Sequence, residues 1–261
     1  MDTIKMPDEI DLHRRHFFGT AALAVAAAQL ALTGSANARS ATTPQPGNRK
    51  PVALAAIKPG TNTSFGALKQ IEAGLLNVGY AEAGPADGPA VLLLHGWPYD
   101  IYSYVDVAPL LAQAGYRVIV PYLRGYGTTR FLSDATLRSG QPTAVAMDII
   151  ALMDALKIQK AIIAGFDWGA RTADIMAVLW PERCKAIVSV SGYLINNPAV
   201  AKVTPLPPQA AFAIWYRYYF TSEIGRAGYA QYLNDFNKLI WKTASPIWAM
   251  STRRWSWACL A

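Results

Sequence analysis

Short apolar runs alternate along the chain with longer segments that carry apolar residues at helical spacing. The runs are Val91–Leu94, Val118–Val120, Ala161–Ala164 and Ala186–Val190. Val91–Leu94 is unbroken, and a short unbroken run is typical of a strand that is buried on both faces of a parallel sheet. Between them lie three segments predicted to be helices, Tyr104–Ala114, Thr143–Leu156 and Ala170–Leu179. This alternation predicts an α/β fold with a mostly parallel central sheet and helices on both faces.

Other patterns flank this core. Gly66–Glu72 and Leu75–Glu82 have strand character and are predicted to form a hairpin around Ala73-Gly74. After Ser191 and a Pro-rich link, the aromatic-rich segments Ala210–Phe220 and Tyr229–Trp241 are predicted to be helices. They indicate a partial helical lid rather than more sheet. The predicted domains are therefore a core over residues 64–193 and a lid over residues 194–247.

Residues 1–38 have the three parts of an export signal. Arg14-Arg15 precedes an apolar run, Ala21–Leu32, and Ala36-Asn37-Ala38 is a cleavage site of the A-x-A type. The paired arginines resemble a twin-arginine signal, so we expect export, with a periplasmic location and no stable membrane insertion after cleavage. An uncleaved anchor or a soluble N-terminal helix is the alternative. Residues 39–63 are rich in Pro, Gly, Ser and Thr and are predicted to be a flexible lead-in.

Composition narrows the choice of partners. Lys and Arg outnumber Asp and Glu by 24 to 17, but the basic residues are scattered, so the charge does not indicate nucleic-acid binding. Cys184 and Cys259 specify no disulfide framework. No group of Cys and His residues has metal-ligand spacing, and we expect neither a metal nor another cofactor.

The candidate chemistry lies in Gly165-Phe166-Asp167-Trp168-Gly169. An apolar strand enters a glycine-flanked turn that leads into a helix, and such a turn can hold its central side chain clear of the sheet in a strained conformation. The central residue is Asp167, so the nucleophile would be a carboxylate and the first product an ester of the enzyme. The alternative is that Asp167 only caps the following helix.

Two further motifs follow predicted strands. His95-Gly96-Trp97-Pro98 comes after Val91–Leu94, and Arg124-Gly125-Tyr126-Gly127 comes after the next strand. Together with the turn around Asp167, and in this order, they resemble the α/β-hydrolase fold. The resemblance covers Gly66 to Pro246. It is to the branch with an aspartate nucleophile, which comprises epoxide hydrolases and haloalkane or haloacetate dehalogenases.

The resemblance implies roles for individual residues. Asp167 would attack a carbon that bears an epoxide oxygen or a halogen, so the substrate would be a small apolar electrophile. The backbone N–H groups of Trp97 and Trp168 would stabilise the oxyanion that develops when the ester is hydrolysed. Tyr216 would protonate the departing epoxide oxygen. For Trp97, Trp168 and Tyr216 the alternative role is packing. His95 is expected to be structural and buried.

Arg171 bears on the choice between the two chemistries. In haloacetate dehalogenases an arginine in this position helps to hold the substrate carboxylate, but those enzymes also have arginine directly after the nucleophile. This chain has Trp168 there. The difference weakens the haloacetate interpretation, and we expect Arg171 to have a surface role or to form a structural salt bridge.

The chain departs from the family after its nucleophile. Its three histidines are His13, His16 and His95, and none follows Asp167, whereas the family uses a late histidine to activate the water that hydrolyses the ester. No Asp or Glu follows Asp235, and Ser189–Gly192 offers no acid at the other usual position.

The tail over residues 248–261 lacks the patterning of the body. We therefore expect a shift of reading frame near Pro246, a truncated family member without the last strands, an exposed apolar edge on the sixth strand, and very poor turnover. The function hypotheses are an epoxide hydrolase-like enzyme, a dehalogenase, or a non-catalytic remnant.

Overall fold

The structure is a computed structural model that describes residues 61–192 and 205–244. The strands of this part of the chain are β1 Lys69–Ala73, β2 Leu76–Ala83, β3 Ala90–Leu94, β4 Arg117–Pro121, β5 Arg130–Phe131, β6 Ala161–Phe166 and β7 Cys184–Val190. They form one seven-stranded mixed sheet in the order β1-β2-β4-β3-β6-β7, with β5 paired to β2. Strands β4, β3, β6 and β7 run parallel, whereas β2 pairs antiparallel with β1, β4 and β5.

The sheet is packed on both faces because alternate residues of its central strands point to opposite sides. On one face Leu92 and Leu94 of β3 join a core with α2 (Pro142–Ala155) and α3 (Trp168–Leu179). On the other face Val91 and Leu93 join a core with Ala108 of α1 (Val107–Gln113). The prediction of a mostly parallel sheet with helices on both faces is confirmed.

The predicted elements of the core are present with shifted ends. The hairpin forms, with Gly74 in the left-handed region at φ 59°. The helix expected over 104–114 is instead a 3-10 turn, Ile101–Tyr104, followed by α1. The expected count of six strands is wrong, because it missed β5.

A buried ion pair joins the long connection between β4 and α2 to α2 itself. The Arg124 guanidinium binds both carboxylate oxygens of Asp148, with Nε to Oδ2 at 2.6 Å and Nη2 to Oδ1 at 2.7 Å. The same guanidinium donates to the backbone oxygens of Ser139 and Ala144. Arg124 and Asp148 are both less than 10 % exposed, so their partners replace the water that both charges lose on folding.

Residues 205–244 form four short helices rather than the two that were predicted. They are α4 Pro208–Ala213, α5 Trp215–Thr221, α6 Glu223–Gln231 and α7 Leu233–Ala244. The junction of α5 and α6 has a physical cause, because the Ser222 hydroxyl accepts a hydrogen bond from the Gly225 N–H at 3.0 Å and so caps a new helix.

Strand β7 carries exposed apolar side chains. Within the residues described it pairs only with β6, and Ile187, Val188 and Val190 are between 41 % and 54 % exposed. This agrees with the expected apolar edge. No helix in 61–192 or 205–244 has the length and apolar content needed to cross a membrane. The predicted export signal, most of the lead-in and the unusual tail lie outside the described residues.

Candidate active site

Asp167 occupies a strained turn between β6 and α3. Its backbone has φ 50° and ψ −112°, a conformation that residues other than glycine rarely adopt. The chain holds it there from both sides, because the Asp167 N–H donates to the Val190 oxygen at 3.0 Å and its oxygen accepts from the Arg171 N–H at 3.0 Å. Gly169 permits the turn, since a Cβ built there would lie 2.5 Å from the Leu94 carbonyl carbon.

The Asp167 side chain is directed at a backbone amide of a different loop. Its Oδ1 accepts a hydrogen bond from the Trp97 N–H at 3.0 Å, and it forms no capping hydrogen bond with its own helix. The capping alternative therefore does not describe this residue. Gly96 allows the close approach, because a Cβ there would lie 2.5 Å from the Asp167 Cβ and 2.9 Å from Oδ1.

Trp97 also connects the elbow to the lid. Its indole packs on the Tyr216 ring with centroids 4.6 Å apart and an interplanar angle of 33°, and on the Phe220 ring at 6.4 Å. The structure thus brings three of the predicted site residues together, Asp167, Trp97 and Tyr216. A second contact joins core and lid, since the Tyr99 ring lies 4.9 Å from that of Trp241 and 5.7 Å from that of Phe166.

Trp168 is placed differently from the other predicted site residues. It is the first residue of α3, where backbone N–H groups have no carbonyl partner in a preceding turn. Its side chain is 37 % exposed, and the Arg171 guanidinium carbon lies 5.6 Å from the centre of one of its rings. The position of its backbone N–H fits the predicted role of oxyanion donor, whereas its indole faces Arg171 and solvent.

His95 is buried in the loop after β3. It has no solvent exposure, and its Nε2 accepts a hydrogen bond from the Leu123 N–H at 3.2 Å. Its ring packs edge-on against Tyr126 with centroids 4.6 Å apart. Burial lowers the pKa of His95 from 6.5 to about 4, although hydrogen bonds to backbone groups of Gly96 and Tyr99 act in the opposite direction. A neutral, enclosed imidazole agrees with the structural role expected from the sequence.

Two ionisable residues near the elbow were not singled out from the sequence. Burial raises the pKa of Asp100 to about 6, although its carboxylate accepts a hydrogen bond from the Tyr102 N–H at 2.9 Å. Burial also raises the pKa of Tyr126, and the charge on Asp167 is the second cause. Tyr126 stands inside the motif Arg124–Gly127, but its proximity to Asp167 depends on which strands are neighbours. Within 61–192 and 205–244 no group of three His, Cys, Asp or Glu residues could hold a metal ion.

Comparisons with known proteins agree with this architecture. Residues 89–260, well over half of the chain, match the sequence model of a family described as "alpha/beta hydrolase fold". An epoxide hydrolase of Caballeronia sordidicola is 43 % identical over 104 residues, which is 40 % of this chain and 31 % of that protein. The AB hydrolase superfamily protein YfhM of Bacillus subtilis is 36 % identical over 163 residues, 61 % of this chain and 54 % of that protein.

Solved structures give the same result. The crystal structure of a candidate epoxide hydrolase from Klebsiella pneumoniae is 60 % identical, with a TM-score of 0.67 over 74 % of this chain and 63 % of that one. This chain thus spans less than two thirds of the length of each of these relatives. The extent of the family match, with the elbow and sheet order described above, leads to one conclusion: the chain belongs to the α/β-hydrolase family and is epoxide hydrolase-like within it.

Proposed function

We propose that this chain opens epoxides by attack of the Asp167 carboxylate on a ring carbon, which gives a hydroxyalkyl ester of the enzyme. The observation that carries the proposal is the hydrogen bond from the Trp97 N–H to Asp167 Oδ1 at 3.0 Å. The Asp167 side chain forms no capping hydrogen bond with the helix that it precedes. This bond fixes the orientation of the carboxylate and leaves Oδ2 as the attacking atom.

The same amide serves the reaction after attack. When the ester is attacked by water, negative charge develops on one former carboxylate oxygen, and a backbone N–H already directed at that oxygen needs no reorganisation. The Trp168 N–H, in the first turn of α3, is the second donor in this proposal. Tyr216, held against the Trp97 indole, supplies the proton for the epoxide oxygen.

The surroundings favour an apolar substrate, and an aryl epoxide in particular. Trp97, Tyr216 and Phe220 form a continuous aromatic surface between the elbow and the lid. Aromatic rings of a substrate can stack on such side chains, with a gain of about 0.5–1.5 kcal/mol for each ring pair beyond the burial of area. Epoxide hydrolase relatives suggest the same small, electrophilic substrates.

We further propose that the ester accumulates. His95 is the one histidine of the 261 residues outside residues 1–38, and it is buried in the structure with Nε2 already engaged. A general base must reach the water that it activates, and this imidazole is enclosed. The 261-residue chain should therefore react once with an epoxide and turn over very slowly.

The test is the mass of the intact protein after incubation with styrene oxide. Wild-type protein should gain the mass of one styrene oxide, peptide mapping should locate it on Asp167, and far less than one equivalent of diol should form. Asp167→Asn should gain nothing. Asp174→Asn, which changes a carboxylate later on the same helix, is the matched control and should react as wild type. An adduct that persists in Asp167→Asn would refute the proposed nucleophile, and sustained diol production would refute the arrested ester.

A dehalogenase and a non-catalytic remnant are the competing functions. In a dehalogenase the Trp168 indole could hold the leaving halide, but this indole is 37 % exposed and packs against Arg171. Reaction with an alkyl bromide and no reaction with styrene oxide would favour the dehalogenase. No adduct with either reagent would favour the remnant.

A further inference from the structure

Tyr104 connects the two strands from which the loops of the site begin. It is the last residue of the 3-10 turn Ile101–Tyr104. Its hydroxyl donates a hydrogen bond to the Leu94 oxygen at 2.8 Å. Its ring packs on the Phe166 ring, with centroids 5.8 Å apart and an interplanar angle of 53°. One side chain thus contacts the end of β3 and the end of β6.

These contacts lie where the sheet stops joining the two strands. Leu94 and Gly165 are the last pair in the ladder between β3 and β6. Beyond this pair the chain leaves β3 into the loop of the amide donor, and it leaves β6 into the nucleophile elbow. Tyr104 binds Leu94, one member of the last pair, and packs on Phe166, which follows the other member. It therefore contributes a connection beyond the end of the ladder.

The Leu94 carbonyl is also in contact with the elbow. Gly169, in the first turn of α3, packs against the carbonyl groups of Leu94 and His95. A peptide unit is planar, so a carbonyl held in a fixed direction also fixes the direction in which the chain continues. The Leu94 carbonyl is held by the Tyr104 hydroxyl and by the packing of Gly169. Its orientation decides where the chain leaves β3 toward Trp97.

The Tyr104 hydroxyl is suited to a permanent bond of this kind. Burial raises the pKa of Tyr104 above its ordinary value of 10.0. The phenol therefore stays protonated at neutral pH and remains a donor. Because its proton is directed at the Leu94 oxygen, we assign it no proton transfer to a substrate.

We propose that Tyr104 is a positioning residue for the attack by Asp167. This inference rests on the proposed function. Tyr104 holds the loop after β3 and the elbow after β6 at the separation at which the Trp97 N–H meets Asp167 Oδ1 at 3.0 Å. Attack needs a narrow range of distance and direction between the reacting atoms, so a small displacement of an orienting group lowers the rate strongly. Loss of the Tyr104 hydroxyl should slow the chemical step and leave the binding of the epoxide unchanged.

The first test is the kinetics of alkylation by styrene oxide. Tyr104→Phe removes the hydroxyl and keeps the ring on Phe166. Intact mass against time, at several concentrations of styrene oxide, separates the maximal rate of Asp167 alkylation from the half-saturating concentration. We expect the maximal rate to fall about 10-fold, the upper end of what one hydrogen bond contributes. The half-saturating concentration should stay within about twofold of wild type, because the lost interaction does not touch the substrate.

Tyr122→Phe is the matched control. It removes another buried tyrosine hydroxyl, one that forms a side-chain hydrogen bond with Tyr102 rather than with Leu94. Both kinetic constants should equal those of wild type in this variant. Thermal unfolding midpoints of the two variants compare their losses of stability, so a general loss of packing can be told apart from a loss of positioning.

A second measurement follows the geometry without the reaction. The amide NMR signal of Trp97 reports the hydrogen bond of this N–H to Asp167. Asp167→Ala removes the acceptor and gives the signal of the amide without that bond. In Tyr104→Phe the signal should move toward that of Asp167→Ala, whereas in Tyr122→Phe it should not move. If Tyr104→Phe does not fold, Phe166→Leu breaks the ring contact from the other side and should displace the Trp97 signal in the same direction.

An unmoved Trp97 signal, or a maximal rate equal to that of wild type, would overturn the inference. Equal losses of rate in Tyr104→Phe and Tyr122→Phe would overturn it as well. Failure of the wild-type protein to gain mass from styrene oxide would instead overturn the proposed function. The amide signal would then still decide whether Tyr104 sets the hydrogen bond between Trp97 and Asp167.

Discussion

Replacing His95 by Gln tests whether this histidine is a buried structural group or a catalytic base. Its pKa is lowered by burial from 6.5 to about 4. Between these pH values the unfolded chain binds a proton at this position and the folded chain does not. Stability therefore falls as the pH falls through this window, and the contribution is complete only above 6.5.

The difference between 6.5 and about 4, at about 1.4 kcal/mol for each pH unit, amounts to roughly 3 kcal/mol. At pH 7 the wild-type protein should be more stable than His95→Gln by about 1–3 kcal/mol, because the Leu123 N–H and the enclosing residues lose a fitted partner. As the pH is lowered to 4, this advantage should shrink by roughly 3 kcal/mol. Asp100, whose pKa burial raises to about 6, acts with the opposite sign but is common to both proteins.

The assay is denaturant unfolding of both proteins at several pH values, with the free energy of unfolding compared between them. Imidazole NMR gives an independent measurement, since the signal that disappears in His95→Gln should titrate near pH 4 in wild type. A titration near 6.5 with no pH dependence of the difference in stability would refute the argument from burial. A selective loss of Asp167 alkylation, with stability unchanged, would instead assign His95 a role in the chemistry.

Two further predictions concern the frame of the site. Arg124→Leu should lower the free energy of unfolding by about 3–5 kcal/mol, because it leaves the Asp148 carboxylate buried without a counterion. Denaturant unfolding measures this loss, and a loss below about 1 kcal/mol would show that the Arg124–Asp148 ion pair contributes little to stability. Gly169→Ala should cost about 1–3 kcal/mol and abolish alkylation of Asp167, because the new Cβ meets the carbonyl of Leu94; a variant that reacts with styrene oxide at the wild-type rate would contradict the packing argument.

The sheet was predictable from the sequence because its strands differ so clearly from their surroundings. Val91–Leu94 is an unbroken apolar run, Ala186–Val190 is interrupted only by Ser189, and both fall within observed strands. Strand β5 was missed because two residues, Arg130 and Phe131, are too few to show any period. Its position depends on pairing with Leu76 and Asn77, which are more than fifty residues earlier in the chain.

The lid was predicted less well, for a reason that differs at each break. Ser222 followed by Glu223 is a recognisable start of a helix, and it could have placed the junction between α5 and α6. Ile214 and Tyr232 interrupt the other helices without any Gly or Pro. Packing of the aromatic side chains accompanies these breaks: the rings of Trp215, Tyr219 and Phe220 all contact Phe236 of α7.

For the site, the motif around Asp167 was sufficient to predict a strained elbow, and the family resemblance of the loop after β3 implied an amide donor. The sequence alone does not show which residues contact each of these groups in the folded protein. The contact of Tyr126 with His95 requires that β4 and β3 be neighbours in the sheet. The order of the strands in the sheet differs from their order along the chain, so this neighbourhood could not be read from the sequence.

Trp97 contributes to the site with both its backbone amide and its indole, and this limits how the site can be enlarged. Its amide orients the reactive carboxylate while its indole supports Tyr216 and Phe220. Truncating that indole to admit bulkier molecules would leave the amide in place but remove the surface on which the overlying helices rest. Truncating Phe220 would likewise leave the amide in place, but it would remove the ring contacts with Tyr219, Tyr229 and Phe236 that join the lid helices to one another.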